Sequence, residues 1–345
     1  MPPVILARHA MNTRFEIVVH GLDPVRLRAA AEEALDEIER LEDRMSFFRP
    51  SSEVAQINRR ASMEPVRVTP AIFDLLRVAQ TLHRETGGAF DITVAPLLRC
   101  WGFRSGVGAI PSAEALAEAR GQVGMEFVVL DTATRTVRFS RPGMQIDLGG
   151  IGKGFAIDRA VEILREAGVP NGLIHGGTST AYAFGRNMDG DAWKIGIPFP
   201  ADKWNTPAGA GGGGDEPGQM IYHGEDLDGR SVAAPEKLLA AVPLENASLS
   251  LSAVWGRFFL REHRIFGHVL DPRSGEPVTG AILAAVVLPS ATETDALSTA
   301  LLTLGLDGLD TLTTLRPGLQ ALVAQERHGR PLFSTRGISL EATAF

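Results

Sequence analysis

The 345-residue chain is 44% hydrophobic and 22% charged, and its 34 Lys and Arg against 41 Asp and Glu give a net charge of -7. This balance excludes disordered, collagenous and low-complexity classes, and it makes a nucleic-acid phosphate backbone a poor partner. Cys100, the single cysteine, can form neither an intrachain disulfide nor a cysteine zinc cluster. At about 150 residues per domain, the length allows two domains or one large α/β or α+β unit.

The first fifteen residues, MPPVILARHAMNTRF, contain only a short apolar run before Arg8 and His9, too little for an export signal. No segment approaches the ~20 apolar residues of a membrane-spanning helix; the richest, 281–289, has the length of a strand. The chain reads as soluble and cytoplasmic.

Residues 14–20 (RFEIVVH) have strand character. Asp23 and Pro24 then open a helix in which Leu27, Ala31, Leu35, Ile38 and Leu41 recur at helical spacing. Thr69 and Pro70 announce a helix through Ile72, Leu75, Leu76, Ala79 and Leu82 that stops at Gly87 and Gly88. Segments 127–130 and 137–139 predict a hairpin, 144–148 a third strand, and 155–167 a helix ended by Gly168. The PAGAGGGGDEPG stretch has too little side-chain surface to pack and predicts a surface loop. A turn at Ser274 and Gly275, a strand at 282–288 and a helix at 295–304 complete the pattern. Strands and helices do not alternate strictly and hairpins recur, which favours α+β over a doubly wound sheet.

Three constellations carry chemistry. In IDLGGIGKGFAID (146–158) a strand runs through Gly149, Gly150, Gly152 and Gly154 into a helix, so backbone N–H groups and Lys153 could face a phosphate. The spacing is neither a Walker loop nor the dinucleotide fingerprint, and a tight strand-to-helix connection explains it equally. Asp295 and Thr299, at i and i+4, present two hard oxygens suited to Mg²⁺ or Ca²⁺ if other groups complete the shell. Their structural alternative is a helix start capped by Thr292 or Thr294, with Thr299 bonding its own backbone. His268, in FGHVLDPRSGEPV, could act as acid or base, beside a turn that Asp271 would fix. Phe90 and Trp101 read as core or as an aromatic platform for a ring ligand. No G-x-S-x-G elbow occurs.

Six blocks in order, MNTRF (11–15), MSFFRPSSEVAQIN (45–58), GGAFDITVAPLLRCWGF (87–103), IDLGGIGKGFAID (146–158), GHVLDPRSGEP (267–277) and TDALSTALLTLG (294–305), resemble the ApbE family of FAD:protein FMN transferases. The resemblance implies one catalytic domain over 1–345. Its fold would be α+β, ApbE-like and related to the T-fold, with mixed antiparallel sheets packed with helices and a flavin site between two lobes. The glycine-rich stretch at about 205–218 would be a flexible insertion. It also implies Mg²⁺-dependent cleavage of FAD, transfer of FMN to a threonine of an acceptor protein through a phosphoester, and release of AMP. By matching position, Gly152, Asp295 and Thr299 would hold the metal. Met11, Phe48, Ala89, Phe90, Asp91, Phe155 and Leu270 would hold FAD, and His268 would be the general base.

Phe48 and Phe155 stand where tyrosine is common in the family, so stacking surface is kept and hydroxyls are lost. HGGTSTAYAFG (175–185) is more polar than usual, and Leu251, Ser252 and Ala253 replace a frequent Thr-Ser-Gly. Many relatives carry a lipoprotein signal that is not visible here, which implies an acceptor that is cytoplasmic or faces the cytoplasm. Family acceptors present a D/S-G-A-T-like segment absent from this chain, which implies a separate partner. Two other readings of the same site are a metal-dependent FAD pyrophosphatase, with water as acceptor, and a non-catalytic FAD carrier.

Overall fold

Residues that alternate between more and less exposed build the opening hairpin, β1 (Val4–Ala10) and β2 (Thr13–His20), paired antiparallel with Ala10 opposite Thr13. Its two-residue turn puts Met11 and Asn12 in the left-handed region, at φ 52 and 58, the geometry that matches strand twist. The computed structural model describes residues 2–198, 219–220, 222–223, 238–261, 264–327 and 330–341; the insertion expected at 205–218 lies outside the described residues.

Helix α1 (Pro24–Met45) starts where Asp23 accepts the amides of Val25 and Arg26, and it buries the expected Leu27, Ala31, Leu35, Ile38 and Leu41 stripe. There follow α2 (Glu53–Arg60), β3 (Val66–Arg67), α3 (Pro70–Glu85), α4 (Ala95–Cys100), β4 (Val107–Gly108), α5 (Ala113–Gly121), β5 (Val128–Asp131) and β6 (Thr136–Phe139). Next come α6 (Gly152–Glu166), β7 (Asn171–Gly176), β8 (Thr180–Phe184), β9 (Trp193–Pro198), β10 (Gln219–Met220), β11 (Tyr222–His223) and β12 (Leu238–Leu244). The chain continues through β13 (Ala247–Ala253), β14 (Arg257–Arg261), β15 (Arg264–Gly267), β16 (Ala281–Leu288), α7 (Ala291–Leu304), α8 (Asp307–Leu315), β17 (Gln320–Arg327) and β18 (Arg330–Arg336).

The molecule is α+β, built on an eight-stranded sheet in the order β1-β2-β7-β8-β13-β16-β17-β18 with every neighbouring pair antiparallel. Helices α1, α6 and α7 cover one face and enclose the main core. The β9–β12 pair covers part of the other face, where Ile197, Leu239 and Val242 meet Leu249, Leu283 and Val287. Strand β16 is therefore buried at all eight positions, which accounts for its uninterrupted apolar run. A third cluster, around Leu97, Trp101, Phe103, Phe259, Phe266 and Leu270, joins α4 and α5 to β14 and β15. Trp101 ties it to the 270–277 turn by donating to the Gly275 carbonyl at 2.8 Å.

The strand expected at 144–148 does not form. Its backbone is satisfied by a side chain instead: the Ile146 amide donates to Asn58 Oδ1 at 2.7 Å, and Asn58 Nδ2 donates to the Ile146 carbonyl at 3.0 Å. The Asp147 amide donates to the Ile92 carbonyl. A segment whose polar groups are met this way has no need of a ladder partner.

Two contacts fix α6 against α7. A Cβ at Gly154 would lie 2.0 Å from the Ala291 carbonyl oxygen and 2.8 Å from Asp295 Cβ, so only glycine permits the approach. At the start of α7, the Asp158 carboxylate accepts from the Ala291 amide (2.8 Å), the Thr292 amide (2.9 Å), Ser290 Oγ (2.8 Å) and Thr292 Oγ1 (2.7 Å). Ser290 is the cap residue, bonding the Glu293 amide, in place of the expected Thr292 or Thr294.

Gly154→Ala should lower unfolding free energy by about 1–3 kcal/mol through overpacking, and Asp158→Ala by a similar ~1–3 kcal/mol through loss of a charged cap. Urea midpoints check both, and an unchanged midpoint contradicts this account of the helix pair. His83 gives a pH prediction. Burial works against its charged form, but the Asp91 hydrogen bond and charge, helped by Glu126, outweigh it and raise the pKa. A raised folded value adds stability that is full below the unfolded pKa of about 6.5 and lost as pH rises through the folded value. The urea-midpoint gap between wild type and His83→Gln should therefore be wider at pH 5.5 than at pH 8.5; a constant gap contradicts it.

Candidate active site

The site begins at the seam between α7 and the sheet. Ser248, Ser250 and Ser252 alternate along β13 and turn to one side, while Leu249 and Leu251 pack into the second core. Opposite them, Thr294 and Ser298 lie one helical turn apart on α7, as do Asp295 and Thr299. Ser248 and Ser250 each lie 2.9 Å from Thr294 Oγ1; Ser252 Oγ lies 2.9 Å from Ser298 Oγ and 3.2 Å from Thr299 Oγ1. Sequence reading missed this hydroxyl ladder; its signal was serine at every second position facing i, i+4 hydroxyls.

Asp295, 5% exposed, ends the ladder. Its Oδ2 accepts the Gly154 amide at 2.9 Å and its Oδ1 accepts Thr180 Oγ1 at 3.3 Å. Both donors are neutral, and a carboxylate keeps lone pairs beyond these two bonds. Thr299 Oγ1 donates back to the Asp295 carbonyl at 3.3 Å, as the structural alternative anticipated. Among the described residues no group of three or more His, Cys, Asp or Glu could hold a metal. The donor set at Asp295 and Thr299 is thus hard oxygen alone, which suits Mg²⁺ when substrate oxygens and waters complete the shell.

The glycine turn lies against this pair. A Cβ at Gly150 would sit 3.4 Å from the Phe90 ring and 3.6 Å from Thr299 Oγ1. Gly152 faces Met45 and Leu148. Most of the turn's amides are already used. Gly149 donates to Asp147 Oδ1, Ile151 and Gly152 to the Leu148 carbonyl, Gly154 to Asp295, and Phe155 to the Ile151 carbonyl. Lys153 Nζ lies 3.5 Å from the Gly149 carbonyl. The open phosphate nest suggested by the glycine spacing is therefore largely filled by the protein's own acceptors.

From Asp147 the site extends to two arginines. Arg104 meets the Asp147 carboxylate, and its guanidinium carbon stands 3.7 Å from the Phe47 ring centroid and 5.2 Å from that of Phe48. Arg257 donates to the Phe103 carbonyl at 2.6 Å. Strand β14 pairs with the His268 segment: the His268 amide donates to the Arg257 carbonyl at 2.9 Å, and His268 Nδ1 lies 3.1 Å from that oxygen. The Phe103 ring meets the imidazole edge-on. A Cβ at Gly256 would come within 3.2 Å of His268 Cε1.

The structure thus brings Thr299 and Phe90 together at Gly150 and Asp295 to Gly154 in the same turn, and connects this turn through Asp147, Arg104 and Phe103 to His268. Phe48, 64% exposed, offers an open ring beside Arg104. Ala89 and Phe90 are buried, and Met11 and Phe155 are partly buried against the main core. Leu270 lies in the third cluster. The Asp91 carboxylate is turned inward, accepting from Thr93 N and Oγ1 at 2.6 Å each and from Met125 N at 3.2 Å.

Known proteins are similar to this chain over most of its length. A FAD:protein FMN transferase from Treponema pallidum is 28% identical over 340 residues, spanning 92% of this chain and 85% of its own length. One from Haemophilus influenzae is 27% identical over 314 residues, 88% and 81% of the two chains. The crystal structure of the ApbE protein from Thermotoga maritima matches with TM-score 0.78 at 27% identity, over 96% of this chain and 97% of that one. The apo flavinyl transferase ApbE of Pseudomonas stutzeri shares the fold, with TM-score 0.77 at 24% identity over 98% and 96%. The model of the ApbE family matches residues 11–323, which takes in all six blocks, and the chain belongs to that family.

Proposed function

We propose that the protein is a Mg²⁺-dependent FAD:protein FMN transferase that passes FMN from FAD to a threonine hydroxyl of an acceptor protein and releases AMP. The observation that carries this reading is the buried Asp295 carboxylate. Its two bonds come from neutral donors, and a buried charge in such a setting calls for a counter-ion. The relatives' name, FAD:protein FMN transferase, supports the transfer of FMN from FAD to a protein.

Mg²⁺ bound by Asp295, Thr299 and the Gly152 carbonyl would supply a Lewis acid that neutralises charge on the diphosphate. The exposed Phe48 ring and the partly buried Phe155 ring offer surface for the isoalloxazine, with Phe90, Met11, Ala89, Asp91 and Leu270 around it. His268 acts as the base. Its Nδ1 lies 3.1 Å from the Arg257 carbonyl and 3.3 Å from the Arg257 amide, so the Arg257 backbone orients the ring, and in the Nδ1–H tautomer Nε2 is the basic nitrogen. The acceptor oxygen attacks the FMN-side phosphorus, its proton passes to His268 Nε2, and the bond from that phosphorus to the bridging oxygen breaks, the electron pair leaving with AMP. No helix among the described residues is long and apolar enough to cross a membrane. We expect the acceptor to present a D/S-G-A-T-like segment.

Purified protein given FAD, Mg²⁺ and a peptide with that segment should release AMP and add the mass of FMN to the peptide, and EDTA should stop both. AMP without a labelled peptide would make water the acceptor, and neither product would make the protein a carrier. Asp295→Asn, which keeps an oxygen for Gly154, should lower turnover by at least ~100-fold while FAD still binds. His268→Ala should lower kcat by about 10²- to 10⁴-fold with little change in FAD affinity. Near wild-type rates would remove either residue from its role.

A further inference from the structure

A dinucleotide diphosphate brings two negative charges, and the glycine turn has few free amides left to meet them. The unspent cationic charge lies instead at Arg104 and Arg257. The Arg104 side chain is only 13% exposed, and its Nε is buried without a hydrogen-bond partner among the described residues. The Nε of Arg257 is in the same state. Burial, and then the nearby Arg257 charge, pull the Arg104 pKa down to about 10; burial alone lowers that of Arg257. Both stay protonated at neutral pH. Asp147 is the carboxylate in contact with Arg104, whereas the bond described for Arg257 goes to a neutral carbonyl. Two neighbouring cations, Arg104 largely buried and Arg257 partly so, with one carboxylate in contact with Arg104, leave a positive excess that a bound anion would relieve.

The position of this excess matches the reaction. Arg257 carries His268 on its backbone, and Arg104 lies between the exposed Phe48 ring and the Asp147 turn. Guanidinium forks bind phosphate oxygens bidentately, which suits a diphosphate better than a single point charge does. We propose that Arg104 and Arg257 form a clamp for the diphosphate of FAD, holding its phosphates between His268 and the Asp147 turn. The clamp rests on the flavin-transfer reading above.

Equilibrium binding of FAD, riboflavin and inorganic pyrophosphate to wild type, Arg257→Gln, Arg257→Lys and Arg104→Lys tests the proposal. Arg257→Gln should weaken FAD by about 10- to 100-fold, the share of a charge-assisted phosphate contact. Riboflavin, which has the ring and no phosphate, should change less than about 2-fold on the same reasoning. The two lysine variants should fall between, because they keep charge and lose the fork. The salt dependence of FAD affinity should also flatten in Arg257→Gln, and this readout decides if riboflavin binds too weakly to measure. An unchanged FAD affinity, or equal losses for FAD and riboflavin, overturns the clamp. If wild type binds no flavin at all, the flavin-transfer reading fails. Pyrophosphate then decides the clamp: binding to wild type that is lost in Arg257→Gln sustains it, and no binding overturns it.

Discussion

The Gly154 amide and the Asp295 carboxylate meet at 2.9 Å across 141 residues of sequence, and the site depends on that meeting. It requires α6 to touch α7 backbone to backbone, which the missing Cβ of Gly154 allows. Asp158 holds the same helix pair near the start of α7, through four bonds to its first residues and cap. With the helices fixed in this way, the turn that follows Asp295 carries Thr299 to Gly150 and Phe90. A buried carboxylate is costly when its donors are neutral. The fold bears that cost where a cation would relieve it.

Much of the fold follows from local chemistry. The α1 stripe, the Asp23 cap, the Pro70 helix start and the apolar β16 run are all legible from residues within a few positions of one another, and a linear reading captures such signals; Thr69 is held instead by Glu53, sixteen residues away. The missing strand at 144–148 is different, because its partner is the Asn58 side chain, 88 residues away. Helices α2 and α5 follow serines that accept the Ala55 and Ala115 amides, a cap signal that the reading passed over. At the site, the i, i+4 spacing of Asp295 and Thr299 was legible. The occupant of each glycine amide was not, since the acceptor at Gly154 comes from another helix. Nor was the arginine pair, because Arg104 and Arg257 stand 153 positions apart and neither lies in a motif of its own.

A division of labour emerges. Hard oxygens on α7 face the glycine turn on one side, and guanidinium groups with His268 stand on the other, joined through Asp147 and Phe103. In phosphoryl transfer, positioning and charge neutralisation do most of the work. The glycine segment contributes chiefly as architecture: it lets α6 approach α7 and gives Asp295 its amide partner.

The central claim is that a divalent cation sits between Asp295, Thr299 and the dinucleotide's diphosphate. Anomalous diffraction from crystals grown with Mn²⁺ and FAD measures this directly. The account predicts a metal peak about 2.0–2.3 Å from Asp295 and diphosphate oxygens, with Thr299 in the same shell. A peak elsewhere, or a diphosphate bound away from α7 with no metal beside Asp295, would contradict it.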